Sequence, residues 1–164
     1  MNPDTKLLHA LVNEYAGYVG MSPLSLDGAG RCSLLFDDKF SVTMECHEET
    51  GSLVIFAELG SIPADQELDF CRKMLEGNHF WRHTGGLGTL ALAPEVDSSL
   101  PRTATLLYQT PIQSLDYGTF QNRLSDFVDT AEAWMDYLSN FEQRSESNEE
   151  PMPETWMGGP MLRV

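Results

Sequence analysis

Basic residues are scarce in this sequence. Ten lysines and arginines stand against 25 aspartates and glutamates, a net charge of −15 with a pI near 4.4. Such a surface repels nucleic-acid phosphates and anionic lipid headgroups, so DNA, RNA and membrane surfaces are disfavoured as partners. It suits a very soluble protein, or one whose partner is basic. Cysteine is scarce too. Cys32, Cys46 and Cys71 are an odd number at unrelated spacings with no CxxC. They are expected to be buried, reduced thiols in a cytoplasmic protein. No apolar run approaches the length of a membrane span. The opening residues MNPDTKLLHALVNEY lack a basic leader and a cleavage site, so no signal peptide is expected.

The familiar signatures of catalysis are missing as well. There is no Walker loop, no Rossmann fingerprint and no HExxH. Gly85-Gly86-Leu87-Gly88 has no following Lys-Ser/Thr and reads as a hairpin turn. His79 and His83 have the spacing of two metal ligands on one helical turn, but no cysteine or carboxylate joins them locally. Cys46 and His47 are adjacent, which on a strand sends their side chains to opposite faces. Asp37-Asp38 and Glu48-Glu49 read as solvated turn acids. No catalytic residue, metal site or cofactor is assigned.

What the chain does have is apolar periodicity, in 164 residues of which 41% are hydrophobic. That suffices for the core of one domain. Asp4 or Thr5 can cap a first helix whose stripe is Leu7, Leu8, Leu11, Val12 and Tyr15, ended by Gly17 and Gly20. Two short strands, Leu24–Asp27 and Cys32–Phe36, flank the turn Gly28-Ala29-Gly30. Strands are expected over Phe40–Cys46 and Ser52–Leu59, joined by a hairpin at 48–51. The strands carrying Leu35 and carrying Val54 and Phe56 are apolar on both faces. Such a strand is covered on both sides or keeps one side for a partner.

A second helix is predicted over Ala64–Glu76, with the stripe Leu68, Cys71, Met74 and Leu75 and a stop at Gly77-Asn78. Strands over Gly88–Ala93 and Thr103–Thr110 follow. A last helix, capped by Ser114, carries Phe120, Leu124, Phe127, Val128, Ala131, Trp134, Met135, Leu138 and Phe141 at spacings of three and four. The fold class is α+β, a twisted, mostly antiparallel sheet with three helices. Residues 143–164 are rich in serine, glutamate, proline and glycine and read as a mobile tail. Trp156, Met157, Met161 and Leu162 are unusual in a pure linker.

The order LLHALVNEYAGYVG, PLSLDGAGRCSLLFDD, VTMECHEETGSLVIFAELGSIP, MLEGNHFW, GLGTLALAPE and FVDTAEAWMDYL resembles the class I type III secretion chaperones, the Tir-chaperone-like family. The resemblance covers roughly residues 4 to 141. Residues 1–142 would then be the chaperone domain. EYAGYVG and the LSLD to SLLFD segment are most similar to a regulatory member of that family. The resemblance implies a homodimer without catalytic activity or cofactor. It implies a secreted client whose unfolded N-terminal region wraps round the dimer, and, in the regulatory subgroup, an anti-activator protein as second partner. It places partner binding at Leu8, Val12, Leu35, Val54 and Phe56, and the dimer interface at Cys71, Met74, Leu75 and Leu90. The alternatives are a dedicated effector chaperone, a small enzyme using His47, His79 or His83, and a subunit of an acidic complex.

Overall fold

The computed structural model describes residues 2–141; the tail expected at 143–164, with Trp156, Met157, Met161 and Leu162, lies outside the described residues. The elements are α1 (Pro3–Val19), β1 (Arg31–Phe36), β2 (Phe40–His47), β3 (Ser52–Ser61), α2 (Glu67–Asn78), β4 (Thr89–Leu92), β5 (Thr103–Pro111) and α3 (Tyr117–Ser139), with 3-10 turns at His79–Trp81 and Ile112–Ser114. The fold is α+β, with three helices and one antiparallel sheet in the order β1-β2-β3-β5-β4. None of the described helices is long and apolar enough to cross a membrane.

The chain forms two compact units. One takes in residues up to Glu58 and Leu107–Val128; the other takes in Leu59–Leu106 and the chain from Asp129 onward. In the first unit the β1–β2–β3 meander is in strict alternation. Cys32 and Leu34, Val42 and Met44, and Leu53, Ile55 and Ala57 point inward, with Cys32 opposite Met44 and Met44 opposite Ile55. The Leu8, Leu11, Val12 and Ala16 face of α1 is buried, and α1 packs on β2 and on the 112–114 turn. The β1–β2 turn places Asp37 and Asp38 at positive φ, 49° and 55°, closed by the Lys39 N–H donating to Phe36 C=O at 2.9 Å.

The second unit is built on aromatic rings. Phe70 of α2 meets Trp134 edge-on at 6.3 Å, Tyr137 at 6.2 Å and Phe141 edge-on at 5.1 Å. Such pairs add to the burial of the rings because their quadrupoles prefer edge-to-face contact.

Several boundaries depart from the sequence reading. Leu24–Asp27 is not a strand. The Asn13 carboxamide takes both backbone groups of Leu24, donating to its C=O at 2.9 Å and accepting from its N–H at 2.8 Å, and Pro23 brings no N–H to a ladder. Asn2, with Pro3 behind it, caps α1 in place of Asp4 or Thr5, accepting the Thr5 N–H at 2.8 Å. Asp116 caps α3 in place of Ser114, accepting the Thr119 N–H at 2.7 Å. The second helix begins at Glu67, because residues 64–66 close a turn first, with the Gln66 N–H on Pro63 C=O. Gly77 does not stop it. A Cβ there would lie 2.7 Å from Cζ2 of Trp134, so this glycine admits the indole to the helix. The buried stripe of α2 is Phe70, Met74 and Gly77, which turns Leu68 and Leu75 outward.

Candidate functional site

Each unit keeps an apolar surface after its core is filled. In the first unit it is the outer face of β1–β3. Register sets its cross-strand rows: Arg31, Glu45 and Val54 in one, Ser33, Thr43 and Phe56 in the next, then Leu35 and Ser41. Arg31 Nε meets Glu45 Oε2 at 2.8 Å and Ser33 Oγ meets Thr43 Oγ1 at 2.8 Å. These polar pairs flank Val54 and Phe56, both half-buried, while Leu35 is 60% exposed. Beside this face runs a groove of about 630 Å³, with Pro23, Leu24 and Ser25 along one wall and Ser33, Thr43 and Phe56 among the residues of the sheet that line it.

The edge of β1 is the second element of this surface. β1 is the outermost strand on its side of the sheet. At its start, Asp27 fills the edge: its N–H donates to Arg31 C=O at 2.8 Å and its carboxylate accepts the Arg31 N–H at 2.9 Å. The bonds from the Arg31 and Ala29 N–H groups hold the Asp27 carboxyl below the usual value. By the alternation of an antiparallel ladder, the backbone groups of Ser33 and Leu35 point the same way as those of Arg31, away from β2. Among the described residues no strand lies on that side. The opposite edge, β4, is closed at the corresponding place, because Asn78 of α2 holds both backbone groups of Leu90.

In the second unit the apolar surface is the outward stripe of α2. Leu68 and Leu75, two turns apart, are 66% and 71% exposed, with half-buried Cys71 between them. Burial, then the nearby Glu67 carboxylate, pushes the Cys71 thiol up. Phe80 and Trp81 are exposed just beyond the helix.

The sequence-assigned residues divide accordingly. Leu35, Val54 and Phe56 share the outer sheet face. Leu8 and Val12 are fully buried inside the first unit and leave the partner-facing set: both lie on the α1 face that the core takes up. Leu75 and Cys71 lie on the outward α2 stripe, whereas Met74 and Leu90 are buried inside the second unit. Cys71 is only half-buried, unlike Cys32 and Cys46. Leu68, assigned to the core stripe, belongs to the outward one. Phe80 and Trp81 went unassigned because their exposure depends on a loop conformation that periodicity does not register. Among the described residues no three His, Cys, Asp or Glu side chains converge as a metal site.

An apolar sheet face beside an open edge, together with an unpartnered helix stripe, defines a protein that binds other polypeptides. Residues 10–135 match the Tir chaperone protein (CesT) family, and the chain belongs to that family, one of type III secretion chaperones and not of enzymes. It is 29% identical over 134 residues to the transcriptional anti-antiactivator ExsC of Pseudomonas aeruginosa, covering 82% of this chain and 87% of ExsC. The structure superposes on the ExsC–ExsE complex with a TM-score of 0.64 at 28% identity, covering 84% of this chain and 97% of the other. The fold also matches the HopA1–SchA chaperone–effector complex, with a TM-score of 0.64 at 17% identity and coverage of 83% and 98%.

Proposed function

We propose that this protein is a homodimeric regulatory type III secretion chaperone. It holds the unfolded N-terminal segment of a secreted protein, a counterpart of ExsE, along the β1 edge and the outer face of β1–β3. It exchanges that client for an anti-activator, so that export of the client releases transcription of secretion genes. The observation that carries this reading is the asymmetry of the sheet edges. The β4 edge is plugged at Leu90 by Asn78, while the β1 edge runs open past Ser33 and Leu35 beside Phe56 and the groove. A disordered segment adding there gains ladder hydrogen bonds from the edge and anchors alternate side chains on the apolar face. Ordering it costs free energy, so a long contact is required. The outward stripe of Leu68, Cys71 and Leu75 supplies the dimer contact.

The test recovers the secreted protein that co-purifies with the full chain and titrates the chain with that protein's N-terminal segment. Phe56→Asp and Leu35→Pro are expected to abolish binding with the dimer mass unchanged, Leu35→Pro because proline cannot take part in edge pairing. Wild-type affinity in both variants would place the client elsewhere. Retention of the secreted protein without any anti-activator, under conditions of secretion-gene expression, would leave a dedicated chaperone in place of a regulatory one.

A further inference from the structure

The loop after α2 holds two large rings outward in a conformation that opposes them. Phe80 and Trp81 have φ of 55° and 53° and are 70% and 51% exposed. Left-handed backbone disfavours residues with a Cβ. The loop keeps this shape because its surroundings over-determine it. Trp81 C=O accepts the N–H groups of Thr84 at 3.3 Å and Gly86 at 3.0 Å. His83 C=O accepts the Trp134 indole N–H at 2.6 Å, and Thr84 is buried. Strain maintained in this way at exposed aromatics marks a binding surface. A cation stands at its rim: the Arg82 guanidinium lies 5.9 Å over the Phe80 ring, the His79 ring meets Phe80 edge-on at 4.4 Å, and residues 79–83 include no carboxylate.

We infer that this loop is the docking site of the chain's own C-terminal segment, residues 152–164. The last described helix brings that segment to the same unit. Trp134 of α3 rests on the loop through His83 and against Gly77. Phe141, edge-on to Phe70, lies seven residues later, about 10 Å along a helical path. Residues 142–150, EQRSESNEE, hold four glutamates, one arginine and no apolar side chain. Extended, they reach about 30 Å, and they carry negative charge toward the Arg82 guanidinium. Residues 152–164 then bring Trp156 and Met157, followed by Met161 and Leu162, with one acid and one base among them. Tryptophan and methionine are well suited to an aromatic pair. The family match ends at residue 135, so residues 152–164 lie beyond the matched region.

The test uses the full chain, whose tryptophans are Trp81, Trp134 and Trp156. In Trp156→Phe an apolar ring is kept, and only Trp81 and the buried Trp134 emit. In Trp156→Ser the anchor is removed. Docking predicts that Trp81 is shielded from acrylamide in the first variant and loses that shielding in the second. Backbone amides of residues 79–86 lose hydrogen-exchange protection in step. Replacing Glu142, Glu146, Glu149 and Glu150 with glutamine weakens the shielding at low salt and has less effect at high salt. Equal quenching and equal exchange in the Phe and Ser variants would overturn the inference. Shielding that disappears on dilution would overturn it too, by assigning the loop to a second copy.

Discussion

The Asn78 carboxamide grips Leu90 at both of its backbone polar groups, donating to the C=O at 3.0 Å and accepting from the N–H at 2.8 Å. One side chain at the end of α2 thereby ends the sheet at β4. In the other unit Asn13 does the same to Leu24, at 2.9 and 2.8 Å. Of the two, Asn78 acts on a sheet edge, whereas Asn13 pins the loop that precedes β1. Closing an edge guards a sheet against unwanted edge association. The closure at β4 is what makes the open stretch of β1 meaningful.

Asn78→Ala is expected to destabilise the fold by about 1–3 kcal/mol, because two backbone groups of a half-buried strand lose their partners at once. Urea unfolding checks this. An unchanged midpoint would mean that water replaces the amide without penalty.

The apolar stripes of α1 and α3 were legible in the sequence because each presents one face to a core. The α2 helix was not, because apolar residues stand on both its sides: Phe70 and Met74 inward, Leu68 and Leu75 outward. Periodicity registers both sets without ranking them, so the stripe drawn through Leu68, Cys71, Met74 and Leu75 mixed the two faces. The supposed strand at Leu24–Asp27 failed for a different reason. Its alternation is real, but its backbone is claimed by an asparagine eleven residues away, a contact no local pattern contains. For the site, the doubly apolar strands pointed to Leu35, Val54 and Phe56. Leu8 and Val12 came from the family resemblance, and both are core residues.

Gly77→Ala sets helix propensity against packing. Alanine favours a helix interior by about 1 kcal/mol over glycine. The added Cβ, however, would stand 2.7 Å from the Trp134 ring and 3.1 Å from Leu90 Cδ1. Overpacking of that kind costs about 1–3 kcal/mol, so a lower thermal midpoint is expected. A raised midpoint would show that the indole can withdraw freely.

The β1–β2 turn offers the opposite case. Asp38 sits at φ 55°, in a turn that favours glycine at its second central position. Asp38→Gly is expected to stabilise the protein by about 0.5–1 kcal/mol, by relieving the left-handed strain at a non-glycine residue. It also removes one of two adjacent negative charges. Chemical denaturation decides the sign.

Acid sensitivity follows from Asp27, Asp97 and Asp116. Backbone N–H groups bond to each carboxylate and hold it below the usual value of 3.8. A carboxyl that is more acidic when folded binds its proton first in the unfolded chain. Its contribution is therefore complete above the ordinary value and declines as the pH falls through the depressed one. Asp116→Asn keeps an acceptor for the cap but does not titrate. It is expected to flatten the loss of stability over the interval below the usual carboxylate value. An unchanged slope in urea midpoints across that interval would remove Asp116 from the acid response.

Leu75 and Leu35 separate the two surfaces assigned to the dimer and the client. Both side chains are largely exposed in the single chain, so an aspartate at either is expected to alter folding by less than about 0.5 kcal/mol. Their effects on assembly should differ. A carboxylate forced into an apolar contact costs several kcal/mol, so Leu75→Asp is expected to convert dimer to monomer at micromolar concentration, read by light scattering. Leu35→Asp removes an apolar anchor worth about 1–3 kcal/mol. It should weaken client binding about ten- to a hundredfold with the dimer intact. If Leu75→Asp stays dimeric, the α2 stripe is not the subunit contact. If Leu35→Asp loses the dimer as well as the client, the β1 edge is itself part of the subunit contact, and the division of labour between the two surfaces is wrong.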